Sequence, residues 1–134
     1  MKNVWEQLAR SAAGQTIQIA RREADWVFAF GTTFCICIEA FWRIRDANMI
    51  LLTGMDDGHK FGLPAPIDAE KNGNELLAGR TVQFFEHDAS TSDLKFKLSD
   101  GLIIEVLTNS SGYESWQAYL NGELLGVGGN GGLR

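Results

Sequence analysis

Apolar and polar residues alternate along most of this chain, and that alternation sets the expected architecture. In "DLKFKLSDG", residues 93–101, Leu94, Phe96 and Leu98 fall on one side and Lys95 and Lys97 on the other, the period of a strand with one face in a core and one in water. Asp100-Gly101 supplies a left-handed turn into "LIIEVLT", so the two runs read as a hairpin. "WQAYLNGELLGV" is a second hairpin, with Asn121-Gly122 suited to a type I′ turn, and "NMILLTGMDDGHKFGL" is expected to form a third, reversing around Asp57-Gly58. Two stretches have helical spacing instead. "VWEQLARSAAG" puts Val4, Trp5, Leu8, Ala9 and Ala12 on one side, with Gly14 suited to the left-handed residue that ends a helix. "EKNGNELLAG" is the weaker of the two because Gly73 interrupts it.

The same pattern occurs twice. Gly14-Gln15-Thr16-Ile17-Gln18-Ile19 lies over Gly79-Arg80-Thr81-Val82-Gln83-Phe84 with glycine, threonine and glutamine coincident and the apolar positions in phase. After a three-residue shift, Trp26, Phe28 and Phe30 lie over Leu94, Phe96 and Leu98, and further gaps bring Gly31 onto Gly101 and Trp42 onto Trp116. The expected fold is therefore mainly β (α+β): two pseudo-repeated antiparallel meander halves, over 4–63 and 68–127, within a single domain, 1–134. About nine or ten short strands and one or two short helices would make a curled sheet, a sandwich or a partly open barrel. Pro64 and Pro66 fall between the halves, where they interrupt no strand.

"FCICI" and "LIIEVL" add a further requirement, because they are apolar on both faces. Phe34, Ile36 and Ile38 oppose Cys35 and Cys37; Leu102, Ile104 and Val106 oppose Ile103 and Leu107. Such strands call for cover on both sides, by the short helices, by a second sheet or by another subunit; if the helices do not supply it, a homodimer with a paired sheet face or edge follows, with C₂ as its default symmetry.

The net charge of −5 repels a polyanion and argues against nucleic acid as partner. Basic pairs at Arg21-Arg22, Arg43/Arg45 and Lys95/Lys97 are dispersed along the chain and interleaved with carboxylates, so they read as solvated faces. The first residues, "MKNVWEQLARSAAGQ", lack an apolar run, since Glu6 and Arg10 break it, and no stretch has the roughly 18 apolar residues of a spanning helix. A cytoplasmic protein with reduced thiols and no membrane partner is expected. Asn109-Ser110-Ser111 fits a glycosylation acceptor but carries no weight in that setting.

Candidate chemistry is sparse. "GVGGNG", residues 126–131, has the G-x-G-x-x-G spacing of dinucleotide-binding turns, but three residues follow it, too few for the helix and crossover such a site needs. It reads as part of a glycine-rich C-terminal tail, 128–134. Cys35 and Cys37 share one face of a strand and have no further ligands at zinc spacing, so no metal is expected. His59 in "MDDGHK" and His87 in "FEHD" sit beside carboxylates, yet neither has a catalytic partner at motif spacing. No catalytic residue and no cofactor is assigned.

Two function classes follow. The first is a non-catalytic protein-binding module, with another protein or a second copy as partner, contacting it through Trp42, Arg43, Tyr113, Glu114 and Trp116, residue types that dominate binding hot spots. Small acidic single-domain chains of this kind include immunity proteins that plug a toxin's basic active site. The second is a carrier of a small molecule, or a simple enzyme, whose curled sheet encloses a cavity lined by the tryptophans, Phe28 and Phe96, with Tyr113, Glu114 or His87 at its mouth. For Trp42 and Trp116 there is a further option, as matched core anchors of the repeat.

Overall fold

A computed structural model describes residues 4–129, which form ten strands and two α-helices. In chain order these are α1 (Val4–Ala12), β1 (Ile17–Arg21), β2 (Trp26–Phe30), β3 (Phe34–Ile38), β4 (Phe41–Arg45), β5 (Ile50–Thr53), α2 (Ala69–Leu77), β6 (Val82–His87), β7 (Leu94–Leu98), β8 (Ile103–Leu107), β9 (Glu114–Leu120) and β10 (Glu123–Gly129). The expected tail from 128 loses its first two residues to β10, and its remainder, 130–134, lies outside the described residues. No helix among the described residues is long and apolar enough to cross a membrane.

All pairings are antiparallel and make two sheets, of order β1-β2-β3-β9-β10 and β5-β4-β8-β7-β6. Neither closes into a barrel. Each half of the chain runs helix and then five strands, and each sheet takes three strands from one half and two from the other. The alternation seen in sequence decides which side of each strand is buried. Ile17, Phe28, Ile36 and Trp116 from the first sheet meet Trp42, Ile44, Phe96 and Ile104 from the second in one core. Rings join the layers directly, Phe28 to Trp42 at 5.1 Å and Phe30 to Phe96 at 4.9 Å between centroids. The side chains expected to line a cavity thus pack on one another and fill the interior.

The helices lie along the open sides of this two-layer structure. α2 packs against β1 and β5, one edge strand from each sheet, and α1 against β6 and β10, the other two. α2 begins at Asp68, whose carboxylate accepts the Lys71 N–H at 3.1 Å, and it runs unbroken through Gly73. That glycine is buried, and a Cβ there would stand 2.7 Å from Ile19 Cδ1, so its lack of a side chain lets helix and strand approach. Asn74 then satisfies the exposed edge of β1, accepting the Ile19 N–H at 2.7 Å and donating to the Ile19 carbonyl at 2.9 Å, while Glu70 accepts the Arg21 N–H at 2.8 Å. A sheet edge that would otherwise offer free backbone groups is covered in this way.

Two of the three expected hairpins form. Asp100 and Gly101 have φ of 61° and 81°, and Asn121 and Gly122 have 52° and 80°, the left-handed pairs that reverse β7 into β8 and β9 into β10. The third, around Asp57-Gly58, does not form. β5 ends at Thr53 in a short 3₁₀ turn over Gly54–Asp56, in which Thr53 and Asp56 cap each other's backbone N–H groups. The following loop is closed by Gly58 and Ile67, whose N–H groups donate to Ile67 and His59 carbonyls at 2.8 Å each. The local capping bonds end the strand before Asp57-Gly58 can act as a hairpin turn.

Candidate functional site

Because the helices occupy the open sides, the outward faces of both sheets stay uncovered, and the two faces differ in chemistry. Across the first sheet the register aligns Gln18, Ala29, Cys35, Tyr119 and Leu124 in one outward row. The next row holds Ala20, Val27, Cys37, Gln117 and Val127. None of the ten is charged, and small residues dominate the middle strands, which leaves a flat and weakly polar field.

Carboxylates gather at one end of this field, where the β1–β2 turn, the end of β3 and the start of β9 meet. Glu39 and Glu114 flank Gln117, whose amide donates to Glu39 Oε2 at 2.9 Å and to Glu114 Oε1 at 3.3 Å. Glu23, Glu39 and Glu114 make no ion pair among the described residues. Asp25 is neutralised by Arg22, which donates from Nε at 2.7 Å and Nη2 at 2.6 Å. The same Nη2 lies 3.5 Å from Cys37 Sγ. Burial pushes the Cys37 thiol above its ordinary range, with the Arg22 charge pulling the other way, so it is a poor nucleophile. Asp25, by contrast, holds the Arg22 guanidinium protonated. A polar cleft of about 470 Å³ opens at this end, with Arg21, Arg22, Glu23, Asp25, Glu39 and Asp57 among its walls. Arg21 and Asp57 pair across it.

The second sheet's outward face carries charges of both signs, with Asp46 acting on Arg45 and Glu86, Asp88, Asp93 and Glu105 lining a cleft with Lys95. Arg43 and Arg45 on β4 both donate through Nε to Glu105 Oε1 on β8, at 2.8 and 2.6 Å, and Lys95 Nζ on β7 lies 3.9 Å from Glu105 Oε2. Lys97 is next along β7, 3.4 Å from Glu86 and over the ring of Phe84. Glu105 is only 7% exposed. Burial alone would raise its pKa, but the hydrogen bonds and charges of Arg45 and Arg43 outweigh it and hold the carboxyl below the usual range.

The five residues singled out from sequence do not converge. Trp42 and Trp116, 1% and 0% exposed, are interior anchors and present nothing to a partner. Each has a glycine against its indole, Gly54 for Trp42 and Gly128 for Trp116, where a side chain would collide with the ring. Arg43 belongs to the outward face of the second sheet. Tyr113, 82% exposed, and Glu114 stand together at the acidic end of the first. Thus Tyr113 and Glu114 join a surface whose centre, Ala29, Cys35 and Val27, was not identified from sequence. The one signal pointing there was the two-sided apolar character of "FCICI".

The histidines form no acid–base constellation. His59 stacks on Phe61 in the loop, centroids 5.5 Å apart. His87 stacks on Trp5 of α1 at 3.0 Å, and burial pushes its imidazole below the ordinary range while the charge of Asp88 opposes this. Asp88 itself is engaged by Ser90 and Thr91, which donate to it within the turn after β6. Both cysteines are free thiols, and no group of three or more His, Cys, Asp or Glu side chains is placed to hold a metal among the described residues. No protein-family model, curated protein or solved structure matches the chain.

Proposed function

We propose that this chain is a non-catalytic protein-binding module whose docking surface is the uncharged outer face of β1-β2-β3-β9-β10 together with its carboxylate end. The observation that carries this reading is the segregation on that face: ten aligned positions without a charge, bordered by Glu23, Glu39 and Glu114, which have no cationic partners among the described residues. A partner with a flat apolar centre flanked by lysine or arginine would desolvate the first and neutralise the second, and Tyr113 would add an aromatic anchor at the margin. The net charge of −5 steers such a basic partner toward the molecule. An immunity-type role, covering a toxin's basic site, has this chemistry. The shared order of elements in the two halves supports a duplicated unit as the origin of the paired sheets, with one outer face recruited for binding.

The test is native mass spectrometry of the protein isolated from its own cells, as wild type, Ala29→Arg and Lys97→Glu. Ala29 lies mid-face and Lys97 on the opposite face. A second polypeptide retained by wild type and Lys97→Glu but lost from Ala29→Arg supports the reading; a homodimer mass lost in the same way would make a second copy the partner. A retained small molecule, or a complex indifferent to Ala29→Arg, overturns it.

A further inference from the structure

The cleft at the carboxylate end of the first sheet has walls of two kinds. Arg21, Arg22, Glu23, Asp25, Glu39 and Asp57 make the polar one, and Trp26, Ala40 and Met55 contribute to the other. Both arginines are committed within the chain, Arg21 to Asp57 and Arg22 to the two oxygens of Asp25. Glu23 and Glu39 are left as carboxylates without a cation among the described residues, so the cleft carries a net negative charge. Glu39 is also held in place: Gln117 donates to its Oε2 at 2.9 Å, while its Oε1 accepts no hydrogen bond among the described residues. On the apolar wall, Trp26 is fixed edge-on against Trp42, ring centroids 5.1 Å apart, and Met55 is 71% exposed. A smaller space of about 230 Å³, lined in part by Phe41, continues from the same Trp26, Ala40 and Met55.

We infer that this cleft receives an arginine side chain of the partner that covers the first sheet's outer face. The inference rests on the docking reading above and adds to it the residue that anchors the partner. At about 470 Å³ the cleft has the size of a ligand pocket, more than a contact at a rim requires. An acidic side chain entering it would be repelled, and an apolar one would bury Glu23 and Glu39 with nothing to neutralise them, a costly arrangement. A cationic side chain remains, and arginine suits the walls better than lysine. Its methylenes can lie along Trp26 and Met55, its flat guanidinium can stack on an indole, and its fork of donors can reach more than one carboxylate oxygen. Arg22 displays this chemistry within the chain: at the edge of the same cleft its guanidinium is held by Asp25 through Nε and Nη2, at 2.7 and 2.6 Å. A free amino acid would bring its own carboxylate toward Glu23 and Glu39, so the source of the arginine is a polypeptide.

Blocked tripeptides, acetyl-Gly-Xaa-Gly-amide with arginine, its neutral isostere citrulline or lysine in the middle, and free arginine are titrated against nitrogen-15-labelled protein. The readout is the indole N–H resonance of Trp26, identified by its loss from Trp26→Phe. Wild type is compared with Glu39→Gln and, on the opposite face, Lys97→Glu, and melting curves show that each variant is folded. The arginine tripeptide is expected to move the resonance saturably and to bind about tenfold or more tighter than the citrulline one. It is expected to exceed the lysine tripeptide, and free arginine, by about twofold or more. Glu39→Gln should weaken it about threefold, and Lys97→Glu should leave it within about twofold at roughly 0.1 M salt. An unmoved resonance, citrulline or lysine bound as tightly as arginine, or unchanged affinity in Glu39→Gln overturns the inference; free arginine bound as tightly as the tripeptide overturns its assignment to a polypeptide. The docking reading fails separately. Partner capture indifferent to Ala29→Arg would remove the docking face and keep the arginine cleft, whereas capture lost in Ala29→Arg without tripeptide binding would remove the cleft alone.

Discussion

Trp116 donates its indole N–H to the carbonyl oxygen of Ser92 at 2.9 Å, a bond that ties β9 of one sheet to the turn between β6 and β7 of the other. Ser92 is fully buried and left-handed, φ 65°, and its own N–H donates to Asp88 at 2.8 Å. Trp42 occupies a comparable interior place, but its Nε1 has no hydrogen-bond partner among the described residues. The two tryptophans therefore differ in what their loss exposes. Trp116→Phe strands a buried carbonyl and is expected to cost about 1–3 kcal/mol beyond the lost packing. Trp42→Phe removes an unpaired donor and should cost less. Alanine at either site opens a large cavity, worth about 3–5 kcal/mol. Urea unfolding midpoints give the order, and a larger loss in Trp42→Phe than in Trp116→Phe would contradict the assignment.

Gly128 has a defined place in this arrangement. A Cβ there would enter the Trp116 indole, whereas one at Gly112 would meet nothing within 4 Å. Gly128→Ala must displace a fully buried ring, an overpacking cost of about 1–3 kcal/mol or more. Gly112→Ala is expected to be within about 0.5 kcal/mol of wild type. Comparable melting temperatures for the two variants would show that the ring has room to move.

Much of the fold was legible because it is written locally. Leu94, Phe96 and Leu98 point inward and Lys95 and Lys97 outward, as period two requires, and Asn121-Gly122 turns the last hairpin as its left-handed preference dictates. Residues 126–129 of the G-x-G-x-x-G spacing lie in β10, and the reason for Gly128, the ring of Trp116, lies on another strand. Gly73 looked like a helix breaker, and only the approach of Ile19, 54 residues earlier, explains why glycine belongs there. The candidate sites were less legible for the same reason. Which strands neighbour one another decides that Arg43 and Lys95 share a face and that Cys35 and Val127 share the opposite one, and strand order depends on long-range pairing. Aromatic and charged residue types pointed equally to Trp42, Trp116 and Tyr113, of which only Tyr113 is exposed.

His87 should make stability sensitive to mild acid. Its imidazole titrates below the ordinary range because burial against α1 disfavours the charged form. As pH falls below about 6.5 the unfolded chain takes up a proton that the folded chain resists, so stability present above that pH is lost toward the lower folded pKa. Urea midpoints measured at pH 7.5, 6.5 and 5.5 should decline in wild type and decline less in His87→Gln. Parallel declines would place the sensitive group elsewhere.

Glu105 contributes at lower pH and with a separable signature. Its carboxyl is held below the usual range by Arg45 and Arg43 against the opposing effect of burial, so its contribution is present above about pH 4.5 and is lost as pH falls through the folded value. Glu105→Gln keeps the shape but removes the charge that both guanidinium groups share, an expected loss of about 1–3 kcal/mol at neutral pH. The stability difference between wild type and Glu105→Gln should shrink below pH 4. A difference that persists unchanged there would mean that Glu105 acts through packing alone.

Cys35 offers a chemical probe of the first docking surface without a substitution. It sits near the centre of the outward field, between Ala29 and Tyr119, and is more exposed than Cys37, which is 8% exposed, lies against Arg22 and has a thiol whose ionisation is suppressed by burial. A stoichiometric maleimide should therefore label Cys35 first, as peptide mass mapping would show. The adduct projects from a flat face into the space a partner must occupy, while the core beneath it is unchanged. Labelled protein should keep the melting temperature of the unlabelled chain within about 2 °C, because a surface change away from the core is worth within about 0.5 kcal/mol. It should nevertheless lose the polypeptide partner retained by unlabelled protein. If labelled protein holds that partner undiminished, the outer face of β1-β2-β3-β9-β10 is not where it docks.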